Sequence, residues 1–246
     1  MALHALSTTE VEFTYSGTEL DALAEVRNYY DWVLHHFRPH VGARVVEVGA
    51  GIGTFSRFVL RGTDARELVL IEPAVNNFPV LEQRFAADPR ARLVHGYLED
   101  VEQPLGADSL IAVNVLEHVP DDARFLTAAH GHLKPGGKIL LFVPAMPQLF
   151  GTLDEAFDHQ RRYTRPELHA KLERAGFQDI QLRRMNALGV LSWWLAGRVL
   201  RRRTLAPGSV RAYDRWLIPL VRRIESNWEP PFGQNLLAIA TRSDCP

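Results

Sequence analysis

Val45-Val-Glu-Val-Gly-Ala-Gly-Ile-Gly-Thr54 is the stretch that decides the fold of this chain. Its first residues, up to Gly49, are mostly β-branched and apolar, which is typical of a short buried strand in a parallel sheet. Gly51 and Gly53 follow, and a helix is predicted to begin at Thr54. Glycines between a strand and a helix permit a tight turn and leave room for a ligand against the backbone. A tight turn without a ligand has the same signature, so the glycines alone leave both interpretations open.

The flanking sequence continues the alternation of strand and helix. Further strands are predicted at Leu68–Ile71, Ala91–His95, Asp108–Asn114, Lys138–Val143, Ile180–Leu182 and Asn235–Thr241. Helices are predicted at Leu20–Phe37, Thr54–Leu60, Val75–Ala87, Asp122–Leu133 and Arg165–Ala175. Strands that alternate with helices favour right-handed βαβ units. We therefore expect an α/β protein with a mostly parallel seven-stranded sheet and helices on both faces.

Composition excludes several classes of protein. The 246 residues are 46% hydrophobic and 23% charged, with a formal net charge of −1, which is ordinary for a globular chain. The single cysteine, Cys245, excludes a disulfide framework and a cysteine-built metal site. The near-neutral charge gives no reason to expect nucleic-acid binding. No stretch is long and apolar enough to cross a membrane, and Met1–Glu10 lacks a signal pattern, so we expect a cytoplasmic location.

Two acids near the glycines indicate which cofactor the turn would bind. Glu72 ends the second strand, where an acid can bind both hydroxyls of a ribose. Glu47 lies inside the end of the first strand, and an acid there is unfavourable beside a pyrophosphate but suits an ammonium group. S-adenosylmethionine carries both an amine and a cationic sulfonium. The acids therefore favour this cofactor over a dinucleotide, with a nicotinamide-dependent dehydrogenase as a distant alternative.

Five motifs in order resemble those of the class I S-adenosylmethionine-dependent methyltransferases, and the resemblance covers most of the chain. The motifs are Val45–Thr54, Leu70–Pro73, His95–Asp100, Asn114–Val119 and Leu133–Gly137. The resemblance implies a Rossmann-like fold that binds S-adenosyl-L-methionine and releases S-adenosyl-L-homocysteine. We expect no metal, because no cluster in the sequence has metal-ligand spacing.

The chain is predicted to divide into four parts. These are an N-terminal helical lid (1–40), the cofactor-binding Rossmann-like core (41–185), a helical cap rich in Trp and Arg that is inserted before the last strand (186–231), and the last strand with the tail (232–246). The third part, called the insertion below, is too long for a loop and has helical periodicity.

The resemblance also implies the cofactor-binding residues. They are Glu47, Gly49, Gly51 and Gly53 for the methionyl end, Glu72 and Pro73 for the ribose, Leu98 and Glu99 for the adenine, and Asn114 and Val115 beside the reactive sulfur. Tyr29 lies in Arg27–Trp32, which resembles the lid of a subgroup whose tyrosine closes over the methionyl group. Ordinary packing of this tyrosine inside the helix is the alternative.

A second subgroup signature follows the fifth strand, at Leu149–Asp154 and Asp158–Thr164. Here the resemblance and the position at the carboxyl edge of the sheet suggest an acceptor pocket with His159 and Tyr163 as catalytic residues. Asp154 and Arg162 would bind the substrate. The alternative is a structural clasp, in which an arginine pairs with Asp154 and Tyr163 packs on the next helix.

His118 and the insertion each carry competing interpretations. A neutral imidazole at His118 could take a proton from the acceptor, or it could cap the following helix. The insertion contains Trp193, Trp194 and clustered arginines. It would line the acceptor pocket as a lid with Trp193 binding substrate, contact acidic lipid headgroups, or form a homodimer contact; the plainest description is a helical cap with solvated arginines.

The sequence thus predicts a methyltransferase that transfers a methyl group to an oxygen or nitrogen of a small-molecule metabolite by in-line displacement. A lipid-linked acceptor that docks through the insertion is the first alternative. A catalytically silent cofactor-binding partner subunit is the second. Nucleic acid is not an expected partner, because no Asn-Pro-Pro-Tyr-like motif follows the fourth strand.

Overall fold

A computed structural model describes residues 13–15 and 26–243 of the chain. It contains one sheet of seven strands. They are β1 Arg44–Val48, β2 Glu67–Glu72, β3 Ala91–His95, β4 Ala107–Val113, β5 Leu133–Pro144, β6 Phe177–Met185 and β7 Asn235–Arg242. The strand order is β3-β2-β1-β4-β5-β7-β6, and only β7 runs antiparallel to its neighbours. The predicted mostly parallel seven-stranded sheet is confirmed.

Helices cover both faces of the sheet. Along the core they are α1 Asn28–Phe37, α2 Thr54–Gly62, α3 Phe78–Phe85, α4 Asp122–His132, α5 Thr152–Ala156 and α6 Arg165–Arg174. Between β6 and β7 lie α7 Ala187–Trp193, a π-helical segment Trp194–Val199, α8 Pro207–Ala212, a second π-helical segment Tyr213–Leu217 and α9 Ile218–Glu225. None of the described helices is long and apolar enough to span a bilayer.

Alternation along the buried strands produces two separate apolar cores. In β1, Val45 packs in the core that contains Trp32 of α1, whereas Val46 packs in the core that contains Phe125 of α4. Both cores are covered, because successive strand residues point to opposite faces of the sheet and both faces carry helices. This explains why β1 reads as a continuous apolar run in the sequence.

Several predicted boundaries differ from the structure. The helix predicted from Leu20 is described from Asn28 onward, so its predicted start, like most of the lid and Cys245, lies outside the described residues. The α3 helix begins at Phe78 rather than Val75, because residues 74–77 form turns in which Asn77 donates to the Ala74 carbonyl. The turn predicted at Pro135–Gly137 lies within β5, where the register shifts between the pairs at Ala107 and Ser109.

The topology brings several loops to one edge of the sheet. The parallel strands β1, β2, β4 and β5 all end there, and the antiparallel β7 begins there at Asn235. Ligands of open α/β sheets bind outside the carboxyl ends of the strands, at the point where the strand order reverses. In this chain that point lies between β1 and β4.

Candidate active site

A cavity of about 760 Å³ occupies this edge of the sheet. One wall comes from the strand ends and includes Gly49, Gly51, Glu72 and Asn114. The opposite wall comes from the loop after β5 and from the insertion. A volume in this range is typical of a ligand site that buries most of a small molecule.

The first two glycines of the turn shape the wall that the strand ends form, which is called the cofactor wall below. Gly49 and Gly51 have φ values of +66° and +55°, a backbone conformation that residues with a Cβ atom adopt rarely. A Cβ at Gly49 would lie 2.5 Å from Cγ2 of Val115. The Gly51 N–H donates to Oε2 of Glu72 at 2.7 Å, and the Ala74 N–H donates to Oε1 at 3.0 Å. These bonds hold the Glu72 carboxylate at the cavity wall, although burial raises its pKa.

Gly53 lies where two helices pack closely. It is not among the residues that line the cavity, and a Cβ there would lie 2.3 Å from Cε2 of Phe85 and 2.9 Å from Cδ1 of Leu81. The missing side chain therefore lets the start of α2 pack closely against α3. The expected place of Gly53 at the methionyl end stays a prediction.

Glu47 lies behind the cavity wall with an unsatisfied carboxylate. The residue is only 3% exposed, and its Oε2 has no hydrogen-bond partner. Burial raises the pKa of this carboxyl to about 8. A buried oxygen without a partner is costly, and an ammonium group is a partner that would also favour ionisation of the acid. The residue therefore fits the amine of the expected cofactor without lining the cavity itself.

The two residues expected around the adenine are not part of the cavity wall. Leu98 is fully buried in the apolar core, Glu99 is half-buried, and neither lines the cavity. Pro73 does line it, together with Phe13 and Tyr15 of the described N-terminal segment. The expected adenine contacts of Leu98 and Glu99 stay a prediction. No sequence pattern indicated the N-terminal aromatics, because residues far apart in the chain hold them in place.

Three hydrogen bonds to the loop after β2 fix that N-terminal segment, one of them from Nδ2 of Asn76 to the Tyr15 carbonyl at 3.0 Å. The Val75 N–H donates to the Phe13 carbonyl at 2.9 Å, and the Tyr15 N–H donates to Oδ1 of Asn76 at 3.0 Å. The Tyr15 ring also meets His118 edge to face, with centroids 6.0 Å apart. Residues 13–15 thus cross the cavity from the ribose side to the acceptor side.

Tyr29 lies at the cavity wall and is also packed inside the fold. It lines the cavity, its hydroxyl donates to Oδ1 of Asn235 at 2.9 Å, and its ring packs edge to face on Phe142. Burial holds its pKa well above the usual value, so the hydroxyl stays protonated. The backbone N–H of Tyr29 donates to Asp214 of the insertion at 2.9 Å. Asp214, which the sequence did not single out, therefore ties the insertion to the start of α1.

Asp154 organises the loop that was expected to bind the acceptor. Its fully buried carboxylate lies 2.9 Å from Nδ1 of His159, and it accepts from Nε of Arg162 at 2.7 Å and from Nε1 of Trp193 at 3.1 Å. Burial raises the pKa of Asp154, but these hydrogen bonds and the arginine charge outweigh burial and hold it below the usual value. Asp154 itself does not line the cavity, whereas its three partners do.

Tyr163 lies in a structural clasp away from the cavity. Its side chain is fully buried, and its hydroxyl lies 3.1 Å from the Leu116 carbonyl and 3.0 Å from Oδ2 of Asp122 at the start of α4. The hydroxyl does not line the cavity, which favours the clasp alternative over the expected catalytic role. The clasp alternative therefore describes Tyr163 and the Arg162–Asp154 pair, while His159 faces the cavity.

His118 and Glu117 complete the acceptor side. His118 lines the cavity with Nδ1 at 3.3 Å from the Asp158 carbonyl, and burial lowers its pKa to about 4, so it is neutral at pH 7. Glu117 is fully buried, and neither carboxylate oxygen has a partner. Its Oε1 lies 4.0 Å from Nε2 of His159, and burial raises its pKa to about 7. Glu117 lies inside a motif used for the resemblance, but nothing in the sequence showed its burial.

Among the described residues, one group has the spacing of metal ligands. Ligand atoms of Glu117, His118 and His159 all lie within 4.8 Å of one another. The sequence did not predict this proximity, because the histidines are separated by 41 positions. The expectation that the protein needs no metal stays a prediction.

A model of a family described as "Methyltransferase domain" matches residues 22–182. The chain belongs to this methyltransferase family. Its fold and family membership confirm the expected class I, S-adenosylmethionine-dependent methyltransferase. Among solved structures it is similar to phosphoethanolamine N-methyltransferase 2 of Haemonchus contortus in complex with S-adenosyl-L-methionine, with a TM-score of 0.63 and 16% identity, over 92% of this chain and 56% of that chain.

Curated relatives of this methyltransferase differ in their acceptors. It is 31% identical to the tRNA U34 carboxymethyltransferase of Citrifermentans bemidjiense over 184 residues, which cover 68% of this chain and 55% of that protein. It is 29% identical to the ubiquinone biosynthesis O-methyltransferase of Xanthomonas euvesicatoria, over 72% of this chain and 71% of that protein. The chain spans about half the length of the first relatives that it matches.

Proposed function

We propose that this methyltransferase transfers the methyl group of S-adenosylmethionine to a hydroxyl or amine of a small-molecule acceptor, with His159 as the proton acceptor. The observation that carries the proposal is the Asp154–His159 pair at the cavity wall. Nδ1 of His159 lies within hydrogen-bond distance, 2.9 Å, of Oδ1 of the buried Asp154 carboxylate. The other ring nitrogen, Nε2, can then contact the acceptor in the cavity. A carboxylate on one ring nitrogen fixes the tautomer in which the other nitrogen is a base.

The strand-end residues would hold the cofactor. Gly51 and Glu72 lie where the backbone and a carboxylate can meet the ribose, and Asn114 and Val115 lie on the same wall toward the acceptor loop. Glu47 offers its unsatisfied oxygen to the amine. When bound, the cofactor supplies an activated methyl group on a cationic sulfonium.

The acceptor side would align the nucleophile and receive its proton. His159 accepts the proton at Nε2, and Asp154 stabilises the resulting imidazolium through Nδ1. Glu117 places a second acid beside the ring, with its Oε1 4.0 Å from the same nitrogen. Apolar side chains such as Leu153 and Phe157 exclude water from the acceptor. General base catalysis of this kind contributes about 10²- to 10⁴-fold to rates.

Substitution of His159 tests the proposal. We expect His159→Ala to lower turnover by at least about 100-fold while its affinity for S-adenosylmethionine stays unchanged. Turnover is measured by transfer of labelled methyl groups into a metabolite extract, and affinity by calorimetric titration. His169→Ala is the matched control, because His169 is half-buried on α6, pairs with Glu173 and does not line the cavity. Normal turnover in His159→Ala would remove the residue from the proposed mechanism.

The same assay separates the alternative functions. A wild-type protein that binds the cofactor but labels no molecule in any extract would be the silent partner subunit. A tRNA pool serves as a further acceptor arm, because the name of one relative includes tRNA. We expect no label in that arm.

A further inference from the structure

The insertion exposes an unusual number of large apolar side chains. Eleven of the fifteen exposed large hydrophobic residues in the described part of the chain lie in the insertion, and Phe232 follows directly after it. The eleven are Leu188, Leu191, Trp194, Leu195, Val199, Leu200, Trp216, Leu217, Leu220, Ile224 and Trp228. Isolated exposed apolar residues need no explanation, but this concentration on one segment marks an interaction surface.

The basic and the acidic side chains of the insertion differ in their exposure to solvent. Eight arginines lie between positions 198 and 223, and all but the half-buried Arg222 are exposed. The acids point inward or are paired: Asp214 is 6% exposed and accepts backbone N–H groups of α1, Glu225 is 2% exposed, and Glu229 pairs with Arg165. Arg203 and Arg222 pair with acids outside the insertion. The exposed surface is therefore apolar and positively charged.

The acceptor cavity reaches this same surface. Leu195, Leu200 and Arg202 are exposed and also line the cavity. From them the cavity wall continues along Ala196, Leu205, Ala206 and Val210 to Trp193. Trp193 donates to Asp154, the residue that bonds His159. An apolar path thus leads from the exposed surface to the proposed base.

We propose that the insertion docks on the surface of an anionic lipid bilayer and that the acceptor is an amphiphile taken from that bilayer. Its hydroxyl or amine would reach His159, and its apolar tail would lie along the wall from Trp193 to Leu200. The part that concerns the acceptor rests on the proposed function; the docking surface does not. Trp side chains among clustered arginines suit the interface between lipid headgroups and acyl chains.

The composition of the surface favours a bilayer over other occupants. Two copies of this face would bring like charges together, which opposes a symmetric dimer. A nucleic acid would satisfy the arginines and stack on the tryptophans. It would leave the aliphatic side chains Leu191, Val199, Leu220 and Ile224 without a partner, whereas a bilayer accommodates them together with the arginines.

Vesicle flotation of the full chain tests the docking surface. We expect binding to vesicles of phosphatidylcholine mixed with phosphatidylglycerol, and little binding to phosphatidylcholine alone. Trp194→Ser combined with Leu200→Ser, and separately Arg201→Glu combined with Arg215→Glu, should each reduce the bound fraction by about tenfold or more. Tyr97→Ser and Arg57→Glu are matched controls, because both residues are exposed and lie outside the insertion and the cavity wall.

Three results would overturn this proposal. One is a negative flotation test, in which either all variants bind equally or the wild type does not bind anionic vesicles. Another is a wild-type dimer that the Trp194→Ser, Leu200→Ser variant converts to a monomer in light scattering. The third is binding of the wild type to RNA, lost with the arginine pair, without vesicle binding. Unchanged cofactor affinity in each variant shows that the fold is intact.

The fate of the methyl label tests the acceptor. Label that partitions into the organic phase of a membrane extract supports an amphiphile, whereas label confined to water-soluble products overturns it. His159→Ala should float with anionic vesicles as the wild type does, since the ring lies inside the cavity. A failure of the proposed function would therefore abolish labelling while leaving flotation intact, and a failure of docking would do the reverse.

Discussion

The two walls of the cavity are built in different ways. The cofactor wall consists of strand ends, and a backbone N–H of Gly51 and the carboxylate of Glu72 bond to each other across it. The acceptor wall consists of side chains from the loop after β5 and from the insertion, anchored on Asp154. Backbone geometry therefore governs the first wall, and side-chain identity governs the second.

This difference explains how one family can serve many acceptors. The strand ends of a parallel sheet are fixed by hydrogen bonds between the strands, so the cofactor wall cannot vary much. The insertion between β6 and β7 is attached to the core through α1 and the loop after β5, and it can change its side chains without altering the sheet. We expect substitutions in the two walls to have separable effects.

The largest effect should follow from a side chain placed on the cofactor wall. Gly51→Val would force a β-branched residue into φ +55° and fill cavity space, so we expect affinity for S-adenosylmethionine to fall by about 100-fold or more. Calorimetric titration measures this. Gly136→Val is the control, because Gly136 also has a positive φ, of +72°, but a Cβ there meets nothing within 4 Å. Tight binding by Gly51→Val would break the distinction between the two walls.

A pH-dependent effect should follow from the buried acid behind that wall. The pKa of Glu47 is about 8 in the folded protein, against 4.5 for an ordinary glutamate. A raised folded-state pKa stabilises the protein below pH 4.5, and this stabilisation is lost as the pH rises through 8. Glu47→Gln removes the titration, so we expect roughly 2 to 4 kcal/mol more stability than wild type at pH 9, and little difference at pH 5.

Thermal unfolding at both pH values checks this expectation. Glu82→Gln, an exposed position on α3, is the control and should show no such dependence. With saturating cofactor the order of stability should reverse near pH 8, because the variant loses the carboxylate that we propose binds the amine. If the cofactor stabilises Glu47→Gln as much as it stabilises the wild type, Glu47 does not contact the cofactor.

The smallest effect should come from the clasp. Tyr163→Phe removes the hydroxyl that lies between the Leu116 carbonyl and Asp122, so we expect a loss of about 1 kcal/mol in the free energy of unfolding. Turnover should stay within about twofold of wild type, since general acid–base participation would cost far more. Denaturant titration and the labelling assay measure the two quantities. A large loss of turnover with normal stability would return Tyr163 to the catalytic residues.

The contrast between Tyr163 and His159 shows where prediction from sequence ends in this loop. Both belong to the same run, Asp158–Thr164, and both offer groups suited to proton transfer. Only the packing of α4 and α6 decides that one ring points into the core and the other lines the cavity. Gly53 and Leu98 show the same limit, because their motifs are local whereas their contacts are with α3 and the apolar core.

The sequence by itself determined the strand and helix order, the glycine turn, and the acid that ends β2, because these depend on local periodicity and backbone freedom. Tertiary structure alone decided that Glu117 lies unsatisfied beside His159, that Phe13 and Tyr15 cross the cavity, and that Asp214 joins the insertion to α1. These are contacts between segments distant in the chain. Burial and charge at such contacts are set by packing, which no local pattern encodes.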